Sequence, residues 1–237
     1  MSGNRIIFSI IIPALNEEKY LPLALKGVKR QKVPHETIVV DGGSTDSTVK
    51  IAKKFGARVI LEKKKGAAPA RNTGARAAKG DYLLFLDADT VPSSKLLESY
   101  TKAFEHKDVV AATGPILPLE KTTKKIYLGY KFVSVYFVRI SWLINRPTIN
   151  GMNFAVKRTA FEKAGGFNEK YVTYEDWDLS HRLAKYGRFA FVNEAVVYSS
   201  ARRVLKWGLF KFVKYHIGNM LRYTFTKKPK SEYEVVR

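Results

Sequence analysis

Four stretches of this chain carry side chains whose types and spacing could do chemistry. In DYLLFLDADT an apolar run, Tyr82 to Leu86, ends in two carboxylates one residue apart, Asp87 and Asp89. Acids at the end of an apolar strand are costly unless something pairs with them. In extended backbone, residues two apart project from the same face. Such a pair is a seat for Mg²⁺ or Mn²⁺, which take oxygen ligands and keep positions open for phosphate. The alternative is a pair of solvated loop acids capping a helix that Pro92 begins. VVDGGSTDST puts Asp41 at a strand end, followed by two glycines that let backbone approach a ligand. Asp41 there can accept hydrogen bonds from a base or ribose, while Ser44 to Ser47 can also simply cap the next helix. In EKKKGAAPARNTGARAAKG, Arg71 falls in the first turn expected of a helix entered through Gly66 and Pro69. A helix amino terminus with a guanidinium suits a diphosphate or an electron-rich base edge. YEDWDLSHRL places Glu175, Asp176 and Asp178 at an expected helix start, where the dipole favours acids. One of them can serve as general base for an attacking hydroxyl. Arg182, four residues after Asp178, is positioned to hold the others.

These residues need a scaffold that brings them together. Short apolar strands are expected at Ile6–Ile12, Thr37–Val40, Arg58–Leu61 and Tyr82–Leu86, with helices at Tyr20–Gln31, Ser47–Phe55 and Pro69–Ala78. Continuous apolar strands separated by helices imply a mostly parallel central sheet flanked by helices, an α/β fold. Ligands bind such sheets beyond the carboxyl ends of the strands. Asn16-Glu17, Asp41 to Ser44 and Asp87 to Asp89 all fall at those ends. The second half is less regular. Ile126 to Ile144 is apolar on nearly all sides but interrupted by Lys131 and Arg139, which argues for a buried or interfacial helix rather than a membrane span. Repeats and low-complexity segments are absent, and Lys227 to Arg237 reads as frayed.

The 237 residues carry a formal charge of +21 and no cysteine, which excludes disulfides and cysteine-based zinc sites. The charge is uneven: nine Lys/Arg and no acid lie between Glu194 and Glu232. This balance suggests nucleic acid, an anionic membrane or a phosphate-bearing substrate, although solubility alone would also account for a global excess. The opening apolar run is too short for a signal peptide, so a cytoplasmic location is the expectation.

Taken in order, the motifs resemble the inverting family 2 glycosyltransferases with the GT-A-type nucleotide-diphospho-sugar transferase fold. SIIIPALNEEKYLP resembles that family's opening strand and turn, IVVDGGSTDST its acidic signature, and ARNTGARAAKGDYLLFLDADT its nucleotide and metal stretch. INGMNFAVKRTAFEKAGGFNE resembles its acceptor-side segment and YEDWDLSHRL its base motif. The resemblance implies one catalytic domain over residues 1–200, with a nucleotide-sugar half at 1–115 and an acceptor half at 116–200. Residues 201–237 are a basic extension. It further implies that Pro13, Asn16 and Glu17 line the nucleotide pocket, that Asp41 contacts the base, and that Arg71 reaches base or diphosphate. Asp87 would sit against ribose and metal waters, Asp89 would hold Mn²⁺ or Mg²⁺, and Asp176 would be the base with Glu175 beside it. Two departures stand out. Gly42 replaces a second Asp common in the family, and Val197-Tyr198-Ser199-Ser200 carries serines where some relatives supply a metal-binding His.

The implied activity is single-sugar transfer from a UDP- or GDP-sugar to a glycan or lipid-phosphate acceptor. In the tail, Leu205, Leu209, Phe212, Val213 and Met220 share one face of a helical wheel, with Lys211, Lys214 and Arg222 broadly opposite. Such a helix fits an anionic membrane interface, placing the enzyme peripherally on the inner face of the cell membrane; it equally fits a helix packed over the acceptor side. A nucleic-acid-binding protein would leave the strand-end acids unexplained, since they would repel phosphates. A nucleotidyltransferase should carry a Gly-rich, basic loop after the first strand, where this chain has Pro-Ala-Leu-Asn-Glu.

Overall fold

The computed structural model describes residues 7–143 and 147–226. The first half alternates strand and helix: β1 (Phe8–Ala14), α1 (Leu21–Lys29), β2 (His35–Asp41), α2 (Thr48–Lys54), β3 (Arg58–Leu61), α3 (Ala67–Ala77) and β4 (Tyr82–Leu86). A short strand β5 (Thr90–Pro92) and helix α4 (Leu96–Phe104) lead to β6 (Val109–Thr113) and β7 (Ile116–Pro118). Next come α5 (Lys124–Lys131), a π-helical turn (Phe132–Phe137) and α6 (Val138–Leu143). The chain continues through β8 (Asn153–Lys157), α7 (Arg158–Lys163), α8 (Glu175–Leu183), β9 (Arg188–Phe191) and β10 (Val197–Ser199). It ends in α9 (Arg202–Trp207) and α10 (Leu209–Thr226).

Seven strands form one sheet in the order β3-β2-β1-β4-β8-β6-β9. All pairings are parallel except those of β8, which runs antiparallel to β4 and β6. Helices cover both faces, so successive strand residues are buried on opposite sides. In β1, Ile10 and Ile12 join the core under α1 and α4, whereas Ile11 joins the core under α3 and α8. In β4, Leu84 and Leu86 face the first core and Leu83 and Phe85 the second. Phe85 packs edge-on to Phe167 and stacks on Phe154. Helix α3 approaches β1 closely because Gly74 has no side chain; a Cβ there would lie 2.4 Å from Ile11 Cγ2.

A second sheet of three short strands, β5-β10-β7, sits beside the site. Here two expectations need correction. Pro92 does not begin a helix: it ends β5, which pairs with β10. Nor are Asp87 and Asp89 in extended backbone. They occupy a turn closed by Thr90 N–H donating to Asp87 O at 3.0 Å. β10 explains the difference, because it captures Thr90 to Pro92 as a strand and holds Asp89 O through the Ser200 N–H at 3.1 Å.

The tail departs from a single helix. Gly208, at φ +77°, breaks it between α9 and α10, so Leu205 and Leu209 do not lie on one continuous face. α10 packs on the body through Asn219, whose side-chain N–H donates to Thr173 Oγ1 at 2.9 Å, and through Tyr223, which meets the rings of Tyr171 and Tyr174. The side chain of Met220 and residues 227–237 fall outside the described residues. No helix among the described residues is long and apolar enough to cross a membrane.

Candidate active site

β2, β1 and β4 are neighbours, so the loops after them converge at one edge of the sheet. The first two loops are stitched together by side chain-to-backbone bonds. Asn16, held at φ +53°, accepts the Thr45 N–H at 2.8 Å, and the Asn16 N–H donates to Ser44 Oγ at 2.9 Å. The Glu17 N–H donates to Thr48 Oγ1 at 2.8 Å. Asp41 is buried and accepts from Gly43 N–H (3.0 Å) and Ser44 N–H (3.1 Å), so its carboxylate shapes the turn that begins at Gly42. Pro13 is half-buried near the end of β1, at the base of this loop pair.

Arg71 is the centre of the cluster. α3 begins at Ala67, so Arg71 lies in its second turn rather than its first, and its guanidinium is aimed inward instead of presented at the helix end. It donates to Asp87 Oδ1 at 2.9 Å and to Glu175 Oε1 at 2.7 Å. Burial alone would lower its pKa, but Asp87, Glu175 and Asp176 outweigh that and raise it. Phe167 packs against the guanidinium, whose carbon is 5.4 Å from the ring centroid. One cation thereby ties the β4 turn to the start of α8, from residues far apart in sequence.

At α8, Asp176 accepts two backbone N–H groups, from Gly151 at 3.0 Å and from Trp177 at 2.9 Å. Burial nevertheless raises its pKa, and those two donors only moderate the rise. Glu175 is pushed up to about 7, by burial first and by the neighbouring charge of Asp176, against the pull of Arg71. Arg182 does not hold the other acids as expected. Among the described residues its ion-pair partner is Asp178, at 2.6 Å, and its Nη1 is committed to the carbonyls of Ala164 and Gly166.

A pH-dependent test follows from Glu175. Its folded pKa lies above its ordinary value of 4.5. The unfolded chain therefore ionises first, and the stability Glu175 contributes below pH 4.5 is lost as pH rises through about 7. Glu175→Gln stays neutral throughout. Its Tm should gain on wild type from pH 5 to about pH 7 and then level off, as scanning calorimetry at matched salt would record; a constant difference over that range would contradict the buried acid.

Asp89 shows what the sequence reading missed. Its carboxylate lies 3.2 Å from Arg202, the first residue of α9, and Arg202 also donates to Glu17 Oε1 at 2.5 Å and Oε2 at 3.0 Å. Burial and the charge of Asp87 push Asp89 up to about 7, although Arg202 opposes them. Arg202 lies two residues after Ser200, and no local pattern in the sequence marks it as a partner of Asp89. Ser200 itself turns away, its hydroxyl donating to Glu120 at 2.7 Å. Glu120 also accepts from Ala201 N–H at 2.6 Å and Tyr20 O–H at 3.2 Å, which fixes the approach to α9.

The donor set at the β4 turn fits a divalent cation. Asp87 and Asp89 supply two carboxylates, and Asp89 is held where burial disfavours its charge unless more positive charge arrives. Among the described residues no cluster of three or more His, Cys, Asp or Glu is gathered for a metal, so oxygen atoms of a ligand and water would complete the shell.

Acids gathered at adjacent strand ends of a largely parallel sheet, with a small second sheet beside it, fit the architecture of the GT-A glycosyltransferases. Solved structures of that fold overlay most of the chain. A mannosyltransferase from Pyrobaculum calidifontis, in complex with GDP-Man and Mn²⁺, gives a TM-score of 0.70 at 22% identity, covering 94% of this chain and 64% of that one. TarS 1–349 from S. aureus gives 0.66 at 17% identity, covering 94% and 73%. In sequence, residues 9–165 match glycosyl transferase family 2, and the chain belongs to that family. It is 33% identical over 191 residues to a PGL/p-HBAD biosynthesis glycosyltransferase of Mycobacterium bovis, covering 74% of this chain and 69% of the relative. It is 29% identical over 215 residues to an uncharacterized glycosyltransferase of Haemophilus influenzae, covering 81% and 67%. The protein is a glycosyltransferase.

Proposed function

We propose that this glycosyltransferase moves a single sugar from a UDP- or GDP-sugar to a membrane-held glycan or lipid-phosphate acceptor, inverting the anomeric carbon with the help of a divalent metal. The observation that carries this reading is that Asp87, next to Asp89 on the β4 turn, is tied by Arg71 to Glu175 and Asp176 at the start of α8. Crystal structures of relatives with GDP-Man and Mn²⁺, and with UDP-GlcNAc, support a donor of this class.

In this reading Pro13, Asn16, Glu17 and Asp41 line the nucleotide, and Asp87 faces the ribose. Asp89, with Asp87 beside it, would hold Mn²⁺ or Mg²⁺. A divalent ion there would neutralise charge on the departing diphosphate. Arg202 exchanges Asp89 for the diphosphate oxygens, leaving Glu17 as its anchor. Asp176 takes the proton of the acceptor hydroxyl as the new C–O bond forms and the bond to the diphosphate oxygen breaks. Its burial raises the pKa and so strengthens it as a base, while the Gly151 and Trp177 N–H groups keep it oriented. Arg71 holds Glu175 and Asp87 in register across the cleft. One in-line displacement inverts the carbon. A lipid-phosphate acceptor is already ionised and would leave Asp176 with no proton to remove.

The decisive experiment is a thermal-shift screen of UDP- and GDP-sugars with Mn²⁺, Mg²⁺ or chelator, followed by NMR of the product. One nucleotide class should raise Tm by several degrees only with metal, as ligand at about 100 times its Kd adds about 2.7 kcal/mol. The product anomer should be opposite to the donor's. Equal binding in chelator would remove the metal from the reading, and a retained configuration would remove the single displacement.

A further inference from the structure

We propose that the helical segment from Lys124 to Leu143 is the surface on which the enzyme lies against an anionic lipid bilayer. The segment runs without a break through α5, the π turn and α6, and it is apolar on its outward face as well as its inward one, unlike a helix packed in water. The inward face buries Ser134, Val138 and Ser141. Ser134 donates to Ile116 O at 3.1 Å and Ser141 shares a hydrogen bond of 2.9 Å with Thr148 Oγ1. The outward face carries Leu128, Phe132, Tyr136 and Ile140, each between 49% and 56% exposed, and Leu143 at 86%. Large apolar side chains are thus turned to solvent, while the inward face combines Val138, Phe137 and Trp142 with two hydrogen-bonded hydroxyls.

The π turn keeps that outward ladder straight. Steps of four residues overshoot the 3.6-residue α-helical turn and drift round the axis; one wider turn between Phe132 and Phe137 takes back part of the drift. α10 extends the surface. Gly129 of α5 meets Leu209 at its start, where a Cβ would lie 3.9 Å from Leu209 Cδ1. Beyond it Phe210 and Val213 are exposed. A contiguous apolar face of this kind marks an interaction site.

Charge selects the occupant. No acid occurs between Glu120 and Glu162, and Lys121, Lys124, Lys125 and Lys131 stand exposed along and before the ladder. A second copy docked on this face would set those lysines against their own images. A nucleic acid would use the lysines and leave the ladder in water. An anionic bilayer satisfies both, with the helix in the interface plane and its apolar side in the acyl boundary. On its inner side, Phe137 stacks on Trp177 with ring centroids 5.7 Å apart, next in sequence to Asp176. The docked face therefore lies directly behind the acceptor end of the site. This inference deepens, and rests on, the reading of a membrane-held acceptor.

The test is co-sedimentation of the full chain with phosphatidylcholine vesicles, with and without phosphatidylglycerol, for wild type and F132D/I140D. Wild type should bind only the anionic vesicles, and binding should weaken with salt. The double variant should lose at least about tenfold in partition, since two large apolar side chains leave the interface. Its Tm and its transfer to a water-soluble acceptor should stay unchanged, because both side chains point outward. Undiminished vesicle binding by the variant would overturn the proposal. So would a lipid-free dimer, seen by light scattering, that the variant dissociates. If vesicle binding behaves as expected but a lipid-phosphate acceptor is not glycosylated by wild type, the docking surface stands and the acceptor reading falls.

Discussion

Asp89→Ala should lower sugar transfer by about a thousandfold or more, the scale of losing one principal charge-stabilising element from a closed site. Asp89 is an acid kept where burial, Asp87 and Glu17 oppose its ionisation, and Arg202, with Arg203 behind it, only partly offsets them. A fold does not need such a group; a diphosphate-bound cation does. This separates function from structure in a single variant. Above pH 7, removing a carboxylate that is costly to ionise should leave Tm unchanged or raise it, since Arg202 keeps Glu17 at 2.5 Å. Mn²⁺ binding in the presence of nucleoside diphosphate, followed by electron paramagnetic resonance, should be lost. Transfer within a few-fold of wild type would sink the metal assignment.

Asp176→Asn is expected to lower transfer to a hydroxyl acceptor by about 10² to 10⁴, the usual contribution of a positioned general base. The substitution has a structural cost that must be measured beside it. Both Asp176 oxygens accept backbone N–H groups, from Gly151 and Trp177. An asparagine can satisfy one and turns its own N–H₂ toward the other. A modest fall in Tm is therefore expected, with donor affinity unchanged. The pH profile distinguishes the two effects: wild-type activity should fall as pH drops through the raised pKa of the Glu175–Asp176 pair, and the variant's residual activity should lose that limb. Full transfer by the variant would identify an acceptor that arrives already ionised.

Much of the nucleotide half was legible because β1 and β4 are buried on both faces and therefore written as apolar runs, and the edge strand β3 keeps a β-branched pair, Val59-Ile60, at its centre. Arg58–Leu61 and Tyr82–Leu86 match their observed bounds, and the polar clusters do fall at adjacent strand ends. The geometry around Asp89 was not legible. Its turn depends on β10, a three-residue strand more than a hundred residues later, and no local pattern encodes that pairing. The same distance hid Arg202, whose role appears only when α9 is seen to start over the β4 turn. Arg71 was recognised as important but placed wrongly, because the helix begins at Ala67, ahead of the Pro69 used as its marker. The segment from Ile126 was apolar all round in sequence; which side faced inward was decided by Ile116 and Thr148, to which Ser134 and Ser141 bond.

The pairing of Arg202 with Glu17 spans 185 residues, nearly the whole described chain. During synthesis, β1 to β4 leave the ribosome long before α9 exists, and contacts of that separation are the slowest to close. Glu17 and Asp89 thus wait as an exposed pair of negative charges on a nearly complete sheet. The order of assembly makes Arg202 the latch: the donor site acquires this ion pair only when α9 has docked, and until then the acids stand without the cation that faces them.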